Sequence, residues 1–142
     1  MNLGFDLDGV VCDIDHWKLK AMDSLNDSTL PYWYYAYRRV KLNPAMFKAP
    51  NDRAYIITSR SSRFRDITIS WLRKHGVAYD DIIFLNIPHR TLFATLDEWY
   101  TEIANRKASI IEKLKIDVYF EDELDVISKL RNKCKAKIIR VV

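Results

Sequence analysis

A chain of 142 residues with 49% hydrophobic and 30% charged side chains reads as one globular domain, long enough to bury roughly 68–70% of its unfolded surface. The formal net charge of +4 favours an anionic partner without marking a nucleic-acid binder. Cys12 and Cys134 make neither a disulfide framework nor a metal spacing, and no leader pattern or membrane-length apolar run is present, so the expected setting is a reducing cytoplasm with no membrane contact.

In chain order, Leu3 to Leu7 is an apolar strand that gives way to Gly9, with Asp6 and Asp8 at its end. Residues i and i+2 of a strand share a face, so both carboxylates are expected to point into one crevice, where they repel unless a cation or a shared proton relieves them. Residues 13–50 form an insert with helix-like stretches at Trp17–Leu25 and Tyr32–Leu42, punctuated by Pro31, Pro44 and Pro50. A lid or substrate-reading element belongs at that point in the chain. A second strand, Ala54 to Ile57, ends at Thr58-Ser59-Arg60. Phe64, Ile67, Trp71 and Leu72 then stripe a helix that Ser61 or Ser62 can cap and Gly76 can stop. Ile82 to Leu85 is a third strand, followed by a long connection, 87–106, with a helix expected near Ala94–Ala104. Ala108, Ile111 and Leu114 stripe another helix, with Lys107 at its expected start. Val118 to Phe120 is a fourth strand ending at Glu121-Asp122, Leu124, Ile127 and Leu130 mark a last helix, and Ala136 to Val142 is a fifth strand. Strands alternating with amphipathic stretches imply an α/β fold, a parallel sheet wrapped by helices.

Open α/β sheets bind ligands outside the C-terminal ends of their strands. There the chain gathers Asp6, Asp8, Thr58, Ser59, Glu121 and Asp122, with Lys107 nearby. Acids, a hydroxyl and an ammonium in one crevice suggest metal-assisted attack on a phosphoryl group. Asp6, the most rigidly held, is the candidate nucleophile, giving an aspartyl-phosphate. Asp8 is the candidate acid toward the leaving oxygen and then base toward water. The acids suit Mg²⁺, a hard cation that prefers oxygen. Thr58, with nearby backbone N–H groups, would hold the phosphate, and Lys107 would neutralise its charge.

So assembled, the chain resembles the haloacid dehalogenase superfamily of phosphohydrolases. The matching motifs occur in order: Asp6-x-Asp8-Gly9-Val10, Ile56-Ile57-Thr58-Ser59-Arg60, Lys107 and Glu121-Asp122. The resemblance implies a Rossmann-like sheet in the order 3-2-1-4-5 and a Mg²⁺-dependent phosphatase rather than a dehalogenase, since Asp8 is present. It implies a metal held by the Asp6 side chain, the Asp8 backbone carbonyl and Asp122, with Glu121 acting mainly through water. Thr58-Ser59-Arg60, Trp71-Leu72-Arg73-Lys74-His75 and Phe120-Glu121-Asp122-Glu123 look like the cytosolic 5′(3′)-deoxyribonucleotidase group, although residues 13–50 are shorter than that group's helical cap. A small phosphorylated substrate, a nucleotide first, is therefore expected, and the protein itself is expected to be a monomer or homodimer.

Each of these residues also has a plainer reading. Asp6 and Asp8 can sit in a surface turn, Thr58 can simply end a strand, and Glu121-Asp122-Glu123 can be an acidic helix start. Lys107 can be solvated, with Arg106 or Lys113 the phosphate partner instead. The aromatic tract Tyr32-Trp33-Tyr34-Tyr35-Ala36-Tyr37 either builds a small core or stacks on bases. Arg60, Arg63, Arg65, His89 and Arg90 either meet a nucleic-acid backbone, as in a polynucleotide-end phosphatase, or make a solvated positive face. His16, His75 and His89 share no metal spacing. A fold kept for binding without turnover is the reading from another class.

Overall fold

Alternate residues along Ala54-Tyr55-Ile56-Ile57 and Val118-Tyr119-Phe120 face opposite sides of a sheet, and each side is covered. The computed structural model describes residues 1–13 and 39–142. It has strands β1 (Asn2–Phe5), β2 (Arg53–Thr58), β3 (Asp81–Phe84), β4 (Val118–Glu121) and β5 (Lys137–Arg140). All neighbouring pairs are parallel, in the order β3-β2-β1-β4-β5, the expected Rossmann-like arrangement. Helices α1 (Arg65–Lys74), α2 (Leu96–Lys113) and α3 (Leu124–Leu130) flank it. Among the described residues no helix is long and apolar enough to cross a membrane.

Strand alternation sorts the core into two clusters. Ile56, Phe5, Phe120 and Ile82 join Trp71 and Leu72 of α1 in one, while Ile57, Tyr119 and Ile138 join Ile103, Ile111, Ile127 and Leu130 of α2 and α3 in the other. The register sets Phe5 between Ile56 and Phe120, so the chain leaves β1, β2 and β4 at one edge. Ser61 caps the short 3-10 turn that leads into α1, and Gly76, with φ of 64°, follows its end.

Three expectations need correction. The first strand stops at Phe5 instead of Leu7, because the Leu7 carbonyl accepts the N–H groups of Val10, Val11 and Cys12 at 3.4, 3.0 and 2.8 Å, curling the chain into a tight turn. The helix expected near Ala94–Ala104 and the one expected to start at Lys107 are a single helix, α2. Thr95 accepts from the Glu98 N–H while Glu98 accepts from the Ala94 N–H, a reciprocal cap after which nothing breaks the helix before Leu114. Lys107 is therefore deep inside α2. Finally, the stretches Trp17–Leu25 and Tyr32–Leu42 fall outside the described residues except for 39–42, which are not helical. Asp13 donates to the Arg39 carbonyl at 2.8 Å, and Lys41 and Leu42 donate to Val11 and Val10 at 2.8 and 3.0 Å. The two ends of the insert are thus zipped together antiparallel beside the β1 turn. Phe47, just beyond, packs on the stacked rings of Phe5 and Phe120.

Candidate active site

Adjacent parallel strands bring their C-terminal ends within reach of one another, and here β1 and β4 deliver acids. Asp6 follows β1, Glu121 ends β4 and Asp122 comes next. One carboxylate oxygen from each lies within 4.8 Å of the others. From α2, fully buried Lys107 donates to Asp6 Oδ1 at 3.0 Å and to Glu121 Oε2 at 2.7 Å. Lys107 is thereby the ammonium that meets the acids. Arg106 instead pairs with Glu102 and reaches the Leu85 and Asn86 carbonyls, and Lys113 is exposed on the last turn.

Glu121 is braced from every side. Its Oε1 accepts the Asp122 and Glu123 N–H groups at 3.2 and 3.4 Å, and Tyr119 donates to Oε2 at 3.3 Å. So occupied, it orients Lys107 and Asp122 more than it offers lone pairs of its own. Glu123 turns away and caps α3 through the Asp125 N–H, so the acidic run serves both the helix start and the site.

Electrostatics follow from burial. Desolvation, then the Glu121 charge, pushes Asp6 well above the usual carboxylate range against the pull of Lys107. Burial raises Glu121 too, but the Lys107 ammonium and its hydrogen bond outweigh that and hold it low. Burial opposes the charged form of Lys107, yet Asp6 and Glu121 keep it firmly protonated. Asp122 is pushed up to about 6 by desolvation and the neighbouring Glu121. Crowded, partly dehydrated carboxylates of this kind favour a cation. An all-oxygen donor set fits a hard ion such as Mg²⁺, and Asp6 and Asp122 are the side chains best placed to hold it.

Gly9, with φ of 90°, carries the turn against this cluster. A Cβ there would collide with the Asp122 carboxylate, so the first motif needs glycine for space as well as for conformation. The Asp8 carboxylate lies outside the triplet and takes a bidentate pair from Arg60, Nε at 2.7 Å and the second nitrogen at 3.2 Å. It still adds to the negative field on Asp6. Buried Thr58 accepts the Arg60 N–H through Oγ1 at 3.2 Å. Ser59 is half-buried and its carbonyl takes the Ile87 N–H.

The structure thus gathers Asp6, Lys107, Glu121 and Asp122, with Asp8 and Thr58 joined to each other through Arg60. Tyr119 is the residue that reading the sequence for a site passes over, and Arg60, expected on a nucleic-acid backbone or a solvated face, pairs with Asp8 instead. The signal for Tyr119 was its spacing, two before Glu121 on one strand face. Arg63 and Arg65 are exposed, over the rings of Phe64 and Phe84. His89 caps its own short turn and His75 lies against Trp71, so neither joins the acids. His16 and the aromatic tract lie outside the described residues.

No protein-family model and no curated protein sequence matches the chain. Among solved structures, a chain from the Pnkp1/Rnl/Hen1 RNA repair complex is similar with a TM-score of 0.65 and 16% identity, covering 99% of this chain and 42% of that one. A chain from a further Pnkp1/Rnl/Hen1 complex structure gives 0.64 and 13%, covering 99% and 45%. At such identities the likeness is one of fold, and this chain spans less than half the length of either.

Proposed function

We propose that this chain is a phosphomonoester hydrolase of the haloacid dehalogenase type, dependent on Mg²⁺. The observation that carries the reading is Lys107, buried between Asp6 and Glu121 beside Asp122, where the motifs of the resemblance converge. A bound Mg²⁺ would supply charge neutralisation on the phosphate oxygens. The rest falls to the chain. An Asp6 oxygen forms a bond to phosphorus as the ester P–O bond breaks, and Asp8, which must exchange its Arg60 pair for a proton, gives that proton to the departing oxygen. Asp8 then takes a proton from water, whose oxygen bonds to phosphorus and releases Asp6 and inorganic phosphate. Lys107 holds Asp6 in place and offsets the charge that builds up, while Arg60 orients the Asp8 carboxyl. Thr58, with Ser59 next to it, sits at the end of β2, where a phosphate would meet a hydroxyl and backbone N–H groups.

A nucleotide or similar small phosphomonoester is the substrate class that the resemblance favours. A phosphorylated polynucleotide end is the second reading, supported by the fold likeness to chains from RNA repair complexes and by exposed Arg63 and Arg65 beyond the β2 end. The test is hydrolysis of an aryl phosphate with Mg²⁺ and with EDTA, then a panel of nucleotides, sugar phosphates and phosphorylated oligonucleotides. Asp6→Asn is expected to lower turnover on the order of a thousandfold or more. Turnover unchanged by that substitution rejects the mechanism.

A further inference from the structure

Gly9 makes a soft hinge in the turn that carries the first motif, because a glycine at positive φ imposes little stiffness of its own. Yet both polar groups of its backbone are held. Its N–H donates to the Cys12 carbonyl at 2.8 Å, and its carbonyl accepts Lys41 Nζ at 3.0 Å. Lys41 arrives on the limb that returns from the insert, and its own N–H is bound to the Val11 carbonyl. Among the described residues no carboxylate pairs with this half-buried ammonium. Its hydrogen bonding is spent on a peptide carbonyl, one residue beyond Asp8 and on the glycine that Asp122 packs against.

We propose that Lys41 is a positioning residue for the metal cup, locking the Gly9-Val10 peptide through the Gly9 carbonyl so that the turn and the Asp122 carboxylate keep a fixed separation. The inference rests on the Mg²⁺ reading above. It makes the base of the insert part of the metal site: whatever shifts the 39–42 limb moves Gly9, and Gly9 moves against Asp122. A charge-assisted bond suits the task, since it is roughly twice as strong as a neutral one and the four-carbon stem spans the gap between limbs.

The experiment is calorimetric titration of the metal-free protein with MgCl₂, for the wild type, Lys41→Met and Lys41→Arg, with thermal unfolding of each in the absence of metal. Lys41→Met is expected to weaken Mg²⁺ binding about tenfold, the lower end for lost outer-shell partners. Lys41→Arg should restore most of it, and the metal-free melting temperatures should stay close together. Mg²⁺ affinity in Lys41→Met equal to wild type overturns the proposal, even if turnover falls, because Lys41 would then act on substrate. Equal weakening in Met and Arg variants with lowered melting temperatures overturns it in favour of plain stability. A wild type that takes up no Mg²⁺ overturns the metal reading itself, and this inference with it.

Discussion

The two faces of the sheet meet opposite demands. Beneath α1, Phe5, Ile56, Trp71, Leu72 and Ile82 pack with no charged side chain among them. Beneath α2 and α3, beside equally apolar Ile57, Ile111 and Ile127, the protein buries Lys107 and Glu121, with Asp6 at the margin. Taking ions out of water costs several kcal/mol each, and replacing a buried ion pair with apolar groups is often neutral or better. Among the described residues, the α1 face closes the sheet without burying a charge. On the proposed phosphatase reading, the charges on the other face are kept for what they do to a ligand.

The contrast breaks most directly at Lys107. Lys107→Met leaves Asp6 and Glu121 buried without their cation, and a loss of about 3–5 kcal/mol is expected in urea unfolding at neutral pH without metal, along with loss of turnover. A variant as stable as wild type would show the two faces to be equivalent. Leu72→Ala, in the charge-free cluster, is the control. It should lose about 2–5 kcal/mol through the cavity it leaves, yet keep its turnover per folded molecule. Comparable stability losses with opposite effects on activity would separate packing from chemistry.

The same division governs what the sequence disclosed. Period-two apolar runs such as Ala54-Tyr55-Ile56-Ile57 reveal strands because each side chain must choose a face, and polar residues at strand ends mark the rim. Asp6, Glu121 and Asp122 could be expected near one another because they stand at the ends of apolar strands, and Lys107 because it fills its place in the ordered motifs of the resemblance. The structure brings the four side chains together. The end of β1 was not legible, because the Leu7 carbonyl's three N–H partners depend on a turn that apolar Val10 and Val11 do not announce. The unity of α2 was hidden for a different reason: its cap, Thr95 with Glu98, lies inside a stretch read as connection. Pairs such as Arg60 with Asp8, or Lys41 with Gly9, join residues 52 and 32 positions apart. They exist only once the fold closes.

A finer probe of the charged face is Tyr119→Phe. The ring, packed close to Gly4, stays, and only the bond from its hydroxyl to Glu121 Oε2 is lost. Glu121 keeps Lys107 and two backbone N–H groups, so a cost of about 1 kcal/mol is expected, with a few-fold fall in turnover measured at saturating Mg²⁺. An unchanged rate would confine the brace to stability and narrow the chemical part of this face to Lys107 and the acids.

The smallest effect belongs to a carboxylate outside both clusters. Asp80 precedes β3 and accepts the Ala54 N–H at 2.7 Å, with Lys48 at 3.2 Å. The Ala54 bond first, and Lys48 after it, hold the Asp80 carboxyl below its usual range despite some desolvation. A lowered folded-state value means that the ionised form stabilises the fold above the ordinary Asp range near 3.9, and that this contribution fades as pH falls through the lower folded value. Asp80→Asn should therefore be less stable than wild type at neutral pH, by about 1 kcal/mol or less because the group is partly solvated and screened. The difference should shrink as pH drops below about 4. Chemical unfolding of both proteins at several pH values reads it, and a gap that widens in acid would reverse the sign assigned here. Set beside Lys107→Met, the result grades one interaction, carboxylate against donor, by how much water is left around it.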